Sequence, residues 1–107
     1  MSVIRLKKLE FYVPSEDRER VLAALFAAGA GQVGHYDQCC WFSEGTGQFR
    51  PLPQSRPHVG EVGTLHRLSE SKVELVFEAA KQSAIVGALK AAHPYETPAY
   101  QILTVEL

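Results

Sequence analysis

Slid along itself by 64 residues, the chain lays residues 9–37 over residues 73–101 without a gap. Six positions coincide: Glu10 with Glu74, Ala24 with Ala88, Leu25 with Leu89, Ala27 with Ala91, Ala28 with Ala92 and Tyr36 with Tyr100. The apolar pattern constrains more than the identities do, since alanine-rich helices inflate those. Leu9, Phe11 and Val13 alternate, as do Val73, Leu75 and Phe77, which is how a strand with one buried face is written. A helical period follows each: Val21, Leu22, Leu25 and Ala28 in the first copy, and Ile85, Ala88, Leu89 and Ala92 in the second. Ser15 is placed to cap the first helix, with Glu16 and Asp17 in its positive first turn and Gly29 as a left-handed end. In the second copy Pro94 sets the stop, because it disfavours helical geometry at His93.

Each half therefore reads as strand, helix, strand, and two halves make an α+β, ferredoxin-like βαββαβ arrangement. Right-handed crossovers leave one gap in each half, filled by the first strand of the other half. The expected product is a four-stranded antiparallel sheet with both helices on one face. The opposite face would carry Glu10, Tyr12, Glu74 and Val76. Between the halves lies a piece too long for a hairpin loop. Within it, residues 61–68 read as one further strand and residues 45–57 as a Gly- and Pro-punctuated loop. An extra edge strand of this kind is expected to pair with a neighbouring subunit.

A chain of 107 residues, 46% hydrophobic, is sized for a single domain spanning 1–107 with one core. The net charge of −1 provides no long-range attraction to nucleic acid or an anionic membrane, so neither is expected as a partner. The N-terminal stretch Met1–Lys8 has charges where a signal peptide needs an apolar run, and nowhere are there about 18 consecutive apolar residues, so a cytoplasmic protein is expected. Cys39 and Cys40 are adjacent; on a strand they would face opposite ways, which argues for buried structural thiols rather than a disulfide or shared metal ligation.

Two segments exceed what a link between elements needs. One is His93-Pro94-Tyr95-Glu96-Thr97-Pro98-Ala99-Tyr100, where the second helix gives way to the last strand. The other is Gly45-Thr46-Gly47-Gln48-Phe49-Arg50-Pro51. The backbone amides of Gly45–Gly47, the Thr46 hydroxyl and the Arg50 guanidinium would form a nest for an anionic group, with Phe49 as an apolar anchor. His93, Tyr95 and Glu96 are the ligand-binding candidates of the other segment. An imidazole beside a carboxylate also suits a divalent transition metal, for which His35, His58, His93 and Glu96 are the candidate ligands. His35, Asp37 and Cys39, alternating along one strand, would share a face. No nucleophilic triad can be assembled, and no catalytic residue is assigned.

The blocks Gly29–Tyr36, Gly45–Pro51, Glu61-Val62-Gly63 and His93–Tyr100 resemble, in order, the inserted domain of the long, YqfO-type members of the Ngg-interacting-factor-three-like family. That domain is similar to the trimeric signalling protein PII and to the divalent-cation-tolerance protein CutA. The resemblance implies a ferredoxin-like fold and a homotrimer. The dinuclear metal site of the family belongs to flanking halves whose motifs are absent here, so their hydrolase or cyclohydrolase activity is not implied for this chain.

Three functions stay open at this point. The first is a non-enzymatic, homotrimeric module that binds a small anionic metabolite or a metal ion, in a cleft where the Gly45–Pro51 segment meets the His93–Tyr100 turn of a neighbour. The second is a small metal-dependent hydrolase using His35, His58, His93 and Glu96, with Glu61 as a further carboxylate. The third is a purely structural oligomerisation domain.

Overall fold

A computed structural model describes residues 4–106. The strand β1 (Leu6–Pro14) leads through a 3-10 turn, Ser15–Asp17, into the helix α1 (Arg18–Ala27). After an irregular stretch come β2 (Trp41–Phe49) and the thirteen-residue β3 (His66–Glu78), joined by residues 50–65. A second 3-10 turn, Ala79–Lys81, opens α2 (Gln82–Ala92), and β4 (Tyr100–Thr104) closes the chain. The sheet order is β2-β3-β1-β4 with every pair antiparallel, the α+β ferredoxin-like arrangement expected from the repeat.

The 64-residue offset holds through the first three elements of each half. Shifted by it, β1 falls on the last nine residues of β3, one 3-10 turn falls on the other, and Arg18 falls on Gln82. The inward alternation then builds one core: Leu9, Phe11 and Val13 with Val73, Leu75 and Phe77 from the sheet, and Val21, Leu22, Leu25, Ile85 and Leu89 from the helices. Residues of β1 and β3 that face the other way, Glu10 with Glu74 and Tyr12 with Lys72, pair directly across the two central strands. On that helix-free face Lys8 sits 3.2 Å from Glu10 and 2.5 Å from Glu74.

The helix ends are only partly as expected. Ser15 does not cap α1; its hydroxyl donates to Glu44 of β2, and no side chain caps the helix start. The first turn is 3-10 instead, because Pro14 leads directly into it. At the other end Gly29 has φ 103°, its N–H reaches the Phe26 carbonyl at 3.0 Å and the Ala30 N–H reaches that of Leu25 at 3.0 Å. This is the paired closure that a left-handed residue after a helix permits. In α2, His93 is extended at ψ 135° ahead of Pro94, as expected.

The segment between α1 and β2 overturns two expectations. Residues 31–40 form no regular strand: Val33 and Tyr36 bridge across a tight turn, Gln38 has φ 55°, and the Cys39 N–H returns to the Gly31 carbonyl at 2.8 Å. His35, Asp37 and Cys39 therefore do not alternate along one face. Cys39 and Cys40 are free, half-buried thiols just ahead of β2. Shifted by 64 residues, β4 would start this strand at Tyr36, whereas β2 starts at Trp41. The repeat breaks there because the chain doubles back before it pairs.

No separate fifth strand forms between the halves. Residues 61–65 are irregular, with a turn at Val62-Gly63, and His66–Leu68 are instead the start of β3. Residues 45–49, read as loop, lie in β2 and pair with β3 from Gly45↔Glu70 to Phe49↔His66. The extra residues thus lengthen a hairpin rather than add a strand, and the molecule extends 55 × 25 × 23 Å. Among the described residues no helix is long and apolar enough to cross a membrane.

Candidate functional site

Register alone puts Tyr12, Glu70 and Phe49 on one face of the sheet. Tyr12 pairs with Lys72, two residues from Glu70; Glu70 pairs with Gly45, four residues from Phe49. The His93–Tyr100 turn closes over this end of the sheet, held by a 3.1 Å bond from the Tyr12 N–H to the Ala99 carbonyl. Residues 50–65 form the other wall. Between them is a cleft of about 290 Å³, lined by Phe49, Glu70, Tyr95 and Glu96 and by the loop residues Arg56 and His58.

His93 anchors the turn. It is 5% exposed, its Nε2–H donates to the Tyr12 carbonyl at 2.7 Å, and its Nδ1 accepts the Tyr95 N–H at 3.1 Å. That pair of bonds requires the neutral Nε2–H tautomer. Burial favours the same state, and it outweighs the raising effects of the Tyr12 hydrogen bond and of Glu70 and Asp17 to hold the imidazole below its ordinary value. Both ring nitrogens are committed, so His93 is not placed as a metal ligand or a general base.

Tyr95 covers His93, with ring centroids 5.0 Å apart, and leans on Phe49 at 5.9 Å. Phe49 packs edge-on to His66 at 5.5 Å, and His93 to the core ring of Phe11 at 6.5 Å. Five rings thus run without a break from the hairpin to the core. The Tyr95 hydroxyl donates to Glu70 Oε2 at 3.0 Å, and burial first, then that bond, pushes the phenol up. Glu96 Oε2 accepts the Arg56 N–H at 2.9 Å, which ties the turn to the loop.

The two segments singled out in the sequence therefore meet within one chain, through Phe49 and Tyr95, where a neighbour's turn was expected. Of the ligand-binding candidates, Phe49, Tyr95 and Glu96 line the cleft and His93 supports it from below. Thr46 is exposed on β2, opposite Ser69, and Arg50 is exposed outside the lining. Gly45 and Gly47 are in the strand without positive φ, so no amide nest forms. Gly47 serves a close approach: a Cβ there would lie 1.8 Å from Glu70 Oε1.

The four candidate metal ligands do not come together. His58 and Glu96 line the cleft, His93 is spent on the backbone, and His35 sits in the exposed 31–40 excursion. Among the described residues no three of His, Cys, Asp and Glu are grouped to hold a metal. Glu70 and Arg56 were missed from sequence. Glu70 has the look of an ordinary wet strand position, and Arg56 only gains meaning through a backbone bond 40 residues away.

A second polar cluster lies on the helix side of the sheet. Ser71, fully buried, donates to Glu44 Oε1 at 2.6 Å, and Arg18 reaches Glu44 at 2.6 Å and Ser71 at 3.1 Å. Hydrogen bonds from Ser15 and Ser71 hold the Glu44 carboxyl below its usual range. These contacts pin the edge strand β2 to α1.

No family model matches the chain. It is 48% identical over 101 residues to the GTP cyclohydrolase 1 type 2 homolog of Bacillus subtilis, covering 94% of this chain and 27% of that protein. The counterpart of Mycobacterium tuberculosis is 45% identical over 100 residues, with 94% and 26% covered. The chain thus spans about a quarter of the length of the curated relatives it matches. Among solved structures, the Bacillus cereus protein related to NIF3 superposes over 100% of this chain and 27% of its own, with TM-score 0.82 and 36% identity. The CutA protein of Archaeoglobus fulgidus matches 95% of this chain and 85% of its own, with TM-score 0.68 and 18% identity, a likeness of fold. The chain is homologous to a segment of about 100 residues in the NIF3-related GTP cyclohydrolase 1 type 2 homologs, and its fold is CutA-like.

Proposed function

We propose that this CutA/PII-like domain is a small-molecule-binding module, assembled as a homotrimer and without catalytic chemistry of its own. The observation that carries the reading is the cleft of about 290 Å³ closed by both sequence motifs within one chain. Its walls join rings to a few convergent polar groups, the usual make-up of a ligand site, and its volume is at the small end for such sites. A molecule of one ring and a short arm fits that scale. Binding rather than turnover is supported by His93, whose two nitrogens are held by backbone groups.

The cyclohydrolase in the relatives' name is not carried over to a segment that spans 27% of them. Assembly into trimers rests on the resemblance to PII and CutA. Light scattering should give about three times the 11.8 kDa chain mass. Backbone amide spectra recorded with single-ring fragments should shift at Phe49, Arg56, Tyr95 and Thr97. Shifts confined to other residues, or none, would refute the cleft as the site.

A further inference from the structure

We propose that Glu70 is the recognition residue of this cleft, and that the ligand presents to it a cationic amine carried on a flat apolar body. This rests on the reading of the cleft as a binding site. Five carboxylates stand on the strands: Glu10, Glu44, Glu70, Glu74 and Glu78. Four of them have a cation within reach, Lys8 for Glu10 and Glu74, Arg18 for Glu44 and Lys81 for Glu78. Among the described residues Glu70 has none. Its partner is a neutral hydroxyl, that of Tyr95.

A half-buried carboxylate without a counter-charge is costly to keep, and it is kept here by two specific provisions. Tyr95 pins one oxygen, and the absence of a side chain at Gly47 makes room for the other. The carboxylate so held lines the cleft beside Phe49, Tyr12 and Tyr95, whose ring faces favour a cation. Glu96, the second carboxylate of the lining, belongs to the turn and accepts the Arg56 backbone N–H from the loop wall, where His58 also stands. Arg50, the basic residue that would have drawn an anion, lies outside the lining. The lining thus holds two carboxylates, Glu70 and Glu96, against the single guanidinium of Arg56, and its net charge is negative, opposite in sign to what an anionic metabolite requires.

Three probes of one shape separate the alternatives: phenethylamine, phenylethanol and phenylacetate, titrated at constant ionic strength while backbone amide shifts are followed. Phenethylamine should bind in the cleft roughly fivefold or more tightly than phenylethanol, with phenylacetate weakest. Glu70→Gln, which keeps an acceptor for Tyr95, should bring amine and alcohol within about twofold of each other. Gly47→Ala should do the same by displacing the carboxylate without removing its charge. Equal binding of all three probes in the cleft would overturn the inference and leave the cleft reading standing. No shift at Phe49, Arg56, Tyr95 or Thr97 with any probe would overturn both. A Glu70→Gln variant that changes the assembly mass and not the order of affinities would also overturn it, assigning the carboxylate to contact between copies.

Discussion

Replacing His93 by Phe keeps a ring of nearly the same size between Phe11 and Tyr95 and removes only its two hydrogen bonds. The Tyr12 carbonyl, bonded at 2.7 Å, and the Tyr95 N–H, bonded at 3.1 Å, both lose their partner. A buried group left unpaired costs about 1–3 kcal/mol. The Tyr12 carbonyl lies beneath a residue 5% exposed and should bear most of that, while the Tyr95 amide borders the cleft and can take water. The sum is about 2–4 kcal/mol, or roughly 10–25 °C in Tm for a domain of this size, measured at fixed protomer concentration. Calorimetry at pH 7.5 giving a loss below about 3 °C would refute the account of His93 as a strut. The pH dependence supplies a second check. Burial holds His93 neutral in the folded chain below its ordinary value, so the unfolded chain takes up the proton first as pH falls. Wild-type stability should therefore decline from about pH 6.5 downward through this group, until the folded imidazole itself titrates. The Phe variant lacks that decline, so the gap between the two proteins must narrow between pH 7.5 and 5.5. A gap that stays constant or widens contradicts a buried neutral imidazole.

Ser71→Ala removes a fully buried hydroxyl that bonds Glu44 and Arg18, and urea unfolding should show a loss of about 1–2 kcal/mol. Glu44, held below the usual carboxylate range chiefly by Ser15 and Ser71, adds stability that is present above its unfolded value near 4.5 and lost as pH falls through its folded value. Glu44→Gln should flatten that acid limb of the stability curve, and an unchanged limb would show that the network carries no linkage. Zinc at tenfold excess should leave Tm unchanged, since the candidate ligands do not converge; a rise of several degrees would require a site completed by another copy.

The fold was legible because the periodicities of β1 and α1 recur in β3 and α2 at one offset, so that each copy supports the other. What misled was the segment after α1, where Tyr36 echoes Tyr100 but the chain turns back between Gly31 and Cys39 before entering β2. A tight turn and a strand start share residue types there, and only the pairing partner separates them. Gly45 and Gly47 misled in the same way: read as a flexible turn, they are strand positions, one of them kept small by a carboxylate from the neighbouring strand. His93, Tyr95 and Glu96 were recognisable as unusual, yet their roles depend on Tyr12, Glu70 and Arg56, which are remote in sequence.

The first and last strands of the fold are neighbours, paired from Lys7↔Thr104 to Phe11↔Tyr100. The polypeptide accordingly enters and departs side by side at one end of the sheet, while Tyr12 and the cleft lie roughly 17 Å further along β1. Such a layout behaves like a plug on a two-wire lead. It can be spliced at one point into a longer chain, as a stretch of the larger relatives corresponds to it, without prying the carrier's own strands apart. It can equally be ring-closed by a short bridge and reopened within residues 50–65, with its wiring unchanged.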